Sequence, residues 1–304
     1  MNAKDIVDEI DIAVLRTIDG LRTAFEYVPI ETLIEKLPYS PKKVAHRVEK
    51  LARMGLIRYI YVPAMNTKGA RITEKGFDTL SLWDFKKHEI IGEIGHLIGV
   101  GKEATIISAL SPDNERLVVK FHRWWIHEFK KIKKSLAYTS IAWRGKELKI
   151  DDYKVDIPRA KAQVEMHALQ VLYSKEISVP EPRGLNRHAV VMIMIERGNG
   201  IPAPQLIDIK LQNPKETYEI IIEDYIRMVN DCGIVHGDLS EFNILVDPDG
   251  ILYYIDLPQA VPIDFPGAYE LAERDLMTIN NYFSTKYGIK VTPVEEIMEQ
   301  LKFE

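Results

Sequence analysis

One stretch restricts the fold of this chain more than any other: residues 236–243, with the sequence His-Gly-Asp-Leu-Ser-Glu-Phe-Asn, and the segment that continues to Asp256. It indicates a loop, a short strand, a turn at residues 247–250 (Asp-Pro-Asp-Gly) and a second strand that ends in a carboxylate. Because Pro fixes the backbone and Gly frees it, that turn is strongly indicated. The hairpin would therefore bring Asp238, Asn243 and Asp256 together at its rim.

Two carboxylates and an amide in that arrangement suit phosphoryl transfer. One of the two carboxylates would orient or deprotonate a hydroxyl group, while the other carboxylate and the amide of Asn243 would supply oxygen ligands to Mg²⁺. A surface hairpin with acidic loops is the alternative, since an Asp followed by an Asn five residues later is a common spacing. The preceding His-Gly pair, the second Asp after a β pair and a glycine-rich loop far upstream favour phosphoryl transfer.

Composition limits the class of protein and its compartment. The 304 residues are enough for two domains, and 46% hydrophobic and 28% charged residues are ordinary for soluble protein. With a net charge of -5, any contact to nucleic acid needs a local patch. The single cysteine, Cys232, suits a reducing compartment, and the longest apolar run, residues 189–195, is too short to span a bilayer. We expect a cytoplasmic monomer without a membrane segment.

Residues 1–90 predict a winged helix-turn-helix domain that ends in a linking helix. The pattern indicates helices over 6–25 and 29–37, a third from Pro41 with Ser40 as its N-cap, strands over 56–62 and 70–73, and the linking helix over 74–88. The third helix could enter a groove of nucleic acid, with Lys43, Arg47 and Lys50 as candidate contacts. Docking of another protein stays open, because these residues hold 15 basic and 13 acidic side chains.

The first lobe of the second domain is predicted over about residues 91–195, and it begins with a glycine-rich loop. Gly99 and Gly101, followed by Lys102 and Glu103, lie between two strand-like segments. Glycines in such a loop let backbone amides approach phosphate oxygens that a Cβ would block. The signal is weak by itself, because glycine pairs also form plain hairpins.

A lysine in an apolar strand is the second signal in this lobe. Lys120 lies within the segment Val-Val-Lys-Phe, where its charge is costly unless an anion pairs with it. Nucleotide phosphates and Glu165, in a predicted helix over 158–173, would supply that partner. Lys161 on the same helix is expected to lie on a solvated face.

An apolar strand over residues 188–195 should connect the two lobes. In a two-lobed nucleotide-binding enzyme this strand offers backbone groups to adenine, which makes Met192, Met194 and Ile195 candidate contacts, although a methionine here is more often simply core. The second lobe, about residues 196–304, should contain helices over 215–231, 269–286 and 292–301.

The segment over residues 121–153 interleaves tryptophans with a lysine cluster and contains Ser135 and Ser140, which are candidate phosphoacceptors. Aromatic and basic side chains together can stack on bases and neutralise phosphates. A loop whose charges are merely solvated is an equally good interpretation.

Taken together, Gly99 to Glu103, Lys120, Glu165, residues 236–243 and residues 255–259 (Ile-Asp-Leu-Pro-Gln) resemble the RIO family of atypical protein kinases. The winged helix that precedes them resembles the Rio-two branch, in its archaeal form. The resemblance covers nearly the whole chain and implies an α+β protein, a winged helix-turn-helix followed by a trimmed two-lobed protein-kinase-like domain. One departure is Ala104, where the family usually has serine and therefore one more hydroxyl contact to phosphate.

The resemblance also implies a role for each site residue. Lys120 would hold phosphates and pair with Glu165, Asp238 would be the catalytic carboxylate, and Asn243 and Asp256 would bind the metal. Asp256 would in addition be the aspartate that is transiently phosphorylated. The implied cofactors are ATP with Mg²⁺ or Mn²⁺, and the implied partner is the pre-small-subunit ribosomal particle with its rRNA.

Three functions therefore compete. The first is an ATP-dependent serine-type autokinase or ATPase that acts in maturation of the small ribosomal subunit. The second is a nucleotide-gated module that binds RNA or the pre-ribosome with negligible turnover. The third is a winged-helix transcription regulator with a degenerate ligand domain. The intact set Lys120, Asp238, Asn243 and Asp256 favours the enzyme, because a pure binding protein does not need a base-like aspartate.

Overall fold

The computed structural model describes residues 7–123 and 153–303, and the chain divides into two compact units, Met1–His88 and Glu89–Glu304. Both units combine helices with antiparallel sheet, which confirms the α+β class. Within the described ranges, no helix combines the length and the apolar character that crossing a bilayer requires.

The N-terminal unit is built from helices packed on a small sheet. The helices are α1 (Glu9–Leu21), α2 (Ile30–Lys36), α3 (Pro41–Arg53) and α4 (Glu74–Lys87), and the strands are β1 (Val28–Pro29), β2 (Ile57–Val62) and β3 (Thr67–Ile72). The sheet order is β1-β3-β2, with β2 and β3 forming the wing. Strand β1 was not predicted from the sequence, because two residues that include a proline give no alternating pattern.

Helix α3 begins at Pro41 with Ser40 as its N-cap residue, as predicted. Ser40 is extended and its side chain makes no hydrogen bond to the first turn of the helix. Its carbonyl oxygen accepts from the N–H of Val44 at 3.0 Å. The fixed φ of Pro41 at the first position is pre-organised for the helix and starts it without a side-chain cap.

Lys43, Arg47 and Lys50 of α3 were predicted as candidate contacts to nucleic acid, and two of them form ion pairs within the N-terminal unit. Lys50 Nζ lies 2.6 Å from Asp11 Oδ2, while Arg47 Nη1 lies 3.2 Å from Asp11 Oδ1 and 2.7 Å from Asp8 Oδ2. Asp11 belongs to α1 and is fully buried, so two cations three residues apart turn toward it. Lys43 remains exposed beside the ring of Tyr39.

The first lobe of the second unit is a five-stranded antiparallel sheet with one long helix. The strands are β4 (Glu93–Val100), β5 (Ala104–Leu110), β6 (Arg116–His122), β7 (Pro182–Asn186) and β8 (Ala189–Ile193), and the helix is α5 (Tyr153–Ser174). The order β4-β5-β6-β8-β7 places β6 in the centre, with paired strands on both sides. The backbone of β6 is therefore held rigidly, and so is the position from which each of its side chains projects.

The second lobe is helical, with short strand pairs where the chemistry was predicted. Its helices are α6 (Pro214–Asn230), α7 (Ala268–Tyr287) and α8 (Val294–Met298), which confirms the predicted helices to within a few residues. Strand β9 (Ile234–Val235) pairs with β12 (Val261–Pro262), and β10 (Ile244–Val246) pairs with β11 (Leu252–Tyr254). The core draws on α6, α7 and the β10–β11 hairpin together.

The Asp11 cluster leads to a stability prediction. We expect Asp11→Ala to lower the free energy of unfolding of the N-terminal unit by about 3 kcal/mol, because it removes a buried carboxylate that both Lys50 and Arg47 contact. Hydrogen exchange of amides in α1 and α3 of the full chain measures this loss. Lys42→Ala, an exposed change on the same helix, is the matched control. A loss equal to that of the control would contradict a structural role for the cluster.

Candidate active site

A buried charge cluster joins the central strand to helix α5. Lys120 Nζ on β6 lies 2.5 Å from Glu165 Oε1, and on its other side it lies 2.7 Å from Asp256 Oδ1. The second oxygen of the Glu165 carboxylate lies 2.7 Å from Nε2 of His122. The predicted partner of Lys120 is thus in contact with it, and Lys120 lies between two carboxylates from different lobes.

Electrostatics fixes the charge states in this cluster. Burial by itself would lower the pKa of Lys120, but the carboxylates of Asp256 and Glu165 outweigh burial and raise it. For Glu165, burial opposes ionisation, and the charge of Lys120 together with the hydrogen bonds from Lys120 and His122 holds its pKa below the usual value. Burial lowers the pKa of His122. At neutral pH the cluster therefore contains a charged lysine, an ionised glutamate and a neutral histidine.

The glycine-rich loop is the turn of the β4–β5 hairpin. A Cβ on Gly99 would meet no atom within 4 Å, and one on Gly101 would meet only the carbonyl oxygen of Ala104 at 3.5 Å. Neither glycine has the left-handed conformation that side chains avoid. Among the described residues, packing would thus allow a side chain at both positions. A ligand that lies close against the backbone would explain why glycine is present.

Helix α5 also holds this loop. Lys161 Nζ lies 2.6 Å from Glu103 Oε2, and Lys161 is only 4% exposed. The prediction that Lys161 lies on a solvated face is therefore wrong. Lys161 precedes Glu165 by four residues, so both side chains project from the same face of α5 toward the sheet. Lys102 is exposed at the tip of the turn.

A buried aspartate on α7 positions the loop that carries Asp238. Asp275 accepts hydrogen bonds from the N–H groups of Gly237 at 2.8 Å and Leu239 at 2.9 Å, and from the hydroxyl of Tyr225 at 3.0 Å. The two N–H groups flank Asp238, so its backbone is fixed on both sides. Gly237 has φ 79°, and a Cβ there would lie 2.6 Å from the carbonyl oxygen of Gln259. The loop accepts only glycine at that position.

The β10–β11 hairpin brings Asn243 and Asp256 to the same place. Asn243 Nδ2 donates to the carbonyl oxygen of Asp238 at 2.8 Å, and the N–H of Ile255 donates to the carbonyl oxygen of Asn243 at 3.0 Å. Nε2 of the buried His236 donates to the carbonyl oxygen of Ile255 at 3.1 Å. The residue before Asp256 is thereby held at both backbone groups. Asp256 itself has φ 65°, in the left-handed region that residues with a Cβ adopt uncommonly.

Asp256 is close enough to Asp238 to affect the pKa of the Asp238 carboxylate. Burial raises the pKa of Asp238, His236 and Arg274 oppose that rise, and the charge of Asp256 adds to it. Asp256 has a side chain that is 41% exposed. Asp238 is exposed and Asp256 is half-buried. A solvent-accessible carboxylate with a raised pKa beside a second carboxylate suits a proton acceptor next to a metal or phosphate site.

The strand that joins the lobes ends in two residues with different hydrogen-bonding roles. The N–H of Met194 donates to the carbonyl oxygen of Arg116, and the carbonyl oxygen of Ile195 accepts from Ala203, both at 2.9 Å. Those two groups are therefore already used in the protein. The N–H of Ile195 is one group that this segment can offer to an adenine base. Met192 is buried at the depth of the strand, as predicted.

The structure brings some of the predicted site residues together, and others lie outside the described residues. Lys120, Glu165, Asp238, Asn243 and Asp256 lie around one site. Gly99 lies at the end of β4, and Gly101 to Glu103 form the hairpin turn in the same lobe as Lys120. Ser135 and Ser140 lie outside the described residues, so their phosphorylation stays a prediction. Sequence reasoning missed His122 and Asp275. The first could have been found because it lies two residues after Lys120, and the second because it is a charge among the apolar residues of α7.

A lysine on a central strand, its helix glutamate, a loop with Asp and Asn, and an aspartate after the next hairpin define the class of protein as a protein kinase. The family model of the RIO domain matches residues 105–297. The chain is 31% identical to the RIO-type serine/threonine-protein kinase Rio2 of Methanocaldococcus jannaschii, over 87% of this chain and 92% of that protein. The chain belongs to the RIO family of atypical protein kinases, in its Rio2 branch.

Two further comparisons agree with this assignment. The serine/threonine-protein kinase rio2 of Schizosaccharomyces pombe is 30% identical over 75% of this chain, which spans 63% of that longer protein. The crystal structure of the Rio2 kinase-ADP/Mg²⁺-phosphoaspartate complex from Chaetomium thermophilum has a similar fold, with a TM-score of 0.79 at 24% identity, over 98% of this chain and 88% of that one.

The anchoring by Asp275 leads to a prediction. We expect Asp275→Asn to lower the rate of phosphate transfer by about tenfold or more, because an amide cannot accept from both loop N–H groups and the position of Asp238 is lost. Single-turnover assays with labelled ATP measure this rate. Tyr225→Phe removes one donor to the same carboxylate and leaves both loop bonds intact, so its rate should stay near that of the wild type. Equal losses in the two variants would show a general packing defect.

Proposed function

We propose that this protein transfers the γ-phosphoryl group of ATP, with Asp238 as the catalytic carboxylate. The observation that carries the proposal is Lys120, a buried cation held between Glu165 and Asp256 at 2.5 and 2.7 Å. Nucleotide phosphates would take the place of Asp256 on Lys120, and the glycine turn would supply backbone amides. The N–H of Ile195 would bind the adenine.

A divalent cation fits the oxygen donors of this site. Asn243 uses its amide nitrogen to bind the Asp238 carbonyl, which leaves the amide oxygen as the donor toward a ligand. Asp256 supplies a partly exposed carboxylate. Hard oxygen ligands of this kind suit Mg²⁺ or Mn²⁺, and the bound ion would neutralise charge on the phosphates.

We further propose that Asp256 itself accepts the phosphoryl group. Its carboxylate oxygen would bond to the γ-phosphorus while ADP leaves with the bonding electrons, and water would then release phosphate and restore the carboxylate. Asp256 is next to Lys120 and exposed enough for water to reach it, and the described part of the chain after it forms α7 and α8 with no separate platform for a peptide. The phosphoaspartate named for the Chaetomium protein supports this step. The net reaction is ATP hydrolysis, with Ser135 or Ser140 modified only slowly in cis.

Labelled ATP tests both proposals. The wild type should release labelled phosphate and yield an acid-quenched phosphoprotein that hydroxylamine discharges. Asp238→Ala should bind nucleotide and transfer phosphate about 10²–10⁴ times more slowly, because a positioned acid or base contributes that much. Retained turnover would remove Asp238 from the mechanism. Label that resists hydroxylamine and maps only to serine would make the protein a conventional autokinase.

We also propose that the pre-small-subunit ribosomal particle and its rRNA are the partners, and that the winged helix contacts the RNA. The exposed cations Lys43 on α3 and Lys68 on the wing support this proposal, whereas Arg47 and Lys50 are paired with Asp11. A nucleotide-gated binding module with negligible turnover is the second candidate. It is favoured if RNA binds tightly and no labelled phosphate is released.

The RNA contact can be tested by charge reversal. We expect Lys43→Glu to weaken binding to the rRNA and to reduce the slope of log affinity against log salt by about one, because one phosphate contact and its released counterion are lost. Titrations at several salt concentrations measure this slope. Lys36→Glu changes the net charge equally at an exposed position on α2 and is the control. Identical slopes in the two variants would indicate that the domain docks a protein.

A further inference from the structure

Glu165 is held by two side chains from one strand. Lys120 and His122 are two residues apart on β6, so their side chains project from the same face of the sheet toward α5. Lys120 Nζ lies 2.5 Å from one carboxylate oxygen of Glu165, and His122 Nε2 lies 2.7 Å from the other. The proposed phosphoryl transfer uses Lys120 and Glu165 but assigns nothing to His122.

The two donors to Glu165 differ in what else they bind. Lys120 also contacts Asp256, and in the proposed function it would turn toward phosphates. The described contacts of the His122 ring lead only to Glu165, which is 1% exposed and cannot exchange a lost donor for water. His122 is thus the partner that keeps Glu165 satisfied while Lys120 changes its own contacts.

The neutral charge state of His122 and its fixed backbone both suit a residue that positions Glu165. A neutral imidazole with its proton on Nε2 donates to the carboxylate without placing a second positive charge beside Lys120. The backbone of His122 is fixed on both sides, because it pairs with Ala104 on β5 and its N–H donates to the carbonyl oxygen of His188 at 2.9 Å. The ring therefore holds Glu165 from a rigid base, and α5 is attached to β6 at two points.

We propose that His122 is a positioning residue: its Nε2–H fixes the Glu165 carboxylate so that the other oxygen faces Lys120, and the Lys120–Glu165 pair stays assembled with or without nucleotide. The role in turnover rests on the phosphoryl transfer proposed above. The assembly of the pair can be observed without any turnover. The role in turnover and the assembly of the pair can thus be measured separately.

Two amide variants test the geometry of the bond. In His122→Gln the amide nitrogen is the same number of bonds from Cα as the histidine Nε2, whereas in His122→Asn it ends one bond short, where Nδ1 lies. We expect His122→Asn to lower kcat/KM for ATP by about tenfold or more and to weaken ATP binding, since one bond to a buried charge is lost. His122→Gln should stay within about threefold of the wild type. Equal kcat/KM values for the two variants, whether high or low, would overturn the inference.

A double-mutant cycle separates positioning from loss of packing. In a Glu165→Gln background, His122→Asn should have little further effect on kcat/KM, because the carboxylate that His122 positions is already absent. Full additivity of the two effects would mean that His122 acts elsewhere. Unfolding measurements on the same variants show whether a loss of rate follows a loss of folded protein.

The bond between His122 and Glu165 can be tested without nucleotide, and therefore independently of phosphoryl transfer. Nitrogen NMR of the ring should show neutral His122 with its proton on Nε2, both in the wild type and in Lys120→Met, and the bond to Glu165 should persist in both. A proton on Nδ1, or loss of the bond once Lys120 is removed, would overturn the inference. Absence of phosphate transfer in the wild type would overturn the proposed function and leave the NMR result to decide this one.

Discussion

The ion pair between Lys120 and Glu165 is the interaction on which the rest of this structure depends. It joins the central strand of a five-stranded sheet to helix α5, and Asp256 extends it into the second lobe. Buried charge clusters seldom stabilise a fold, because desolvation offsets most of the Coulomb attraction. A buried charge cluster is explained here if Lys120 must be a cation that binds phosphates, because a charged lysine in the core requires buried counter-ions.

In the second lobe, a single buried carboxylate fixes the position of a loop. Asp275 accepts hydrogen bonds from two backbone N–H groups of the loop that contains Asp238, while His236 and Asn243 bind the backbone of the residue before Asp256. The reactive carboxylates are therefore positioned through backbone hydrogen bonds from residues that need not touch a ligand. This arrangement lets Asp256 keep a left-handed conformation that would be unfavourable without its neighbours.

The N-terminal unit uses its charges differently. Arg47 and Lys50 of α3 neutralise the buried Asp11, so part of a helix that looks basic in the sequence serves the unit's own packing. Other cations of the unit, such as Lys42 and Lys43, remain exposed. A count of basic residues overestimates the charge that such a domain presents, because it does not show which cations already have counter-ions.

The sequence by itself determined most of the element types and indicated Lys120, Asp238, Asn243 and Asp256, because these depend on local patterns: helical spacing in α6 and α7, the Asp-Pro-Asp-Gly turn, and a lysine in an apolar strand. The resemblance to a family supplied the α+β class. Only the tertiary structure decided which charges meet. The pairing of Lys161 with Glu103, of His122 with Glu165 and of Arg47 with Asp11 joins residues 58, 43 and 36 positions apart. Spacing along the chain gives no information about such contacts, since the packing of helices and sheets sets their distances.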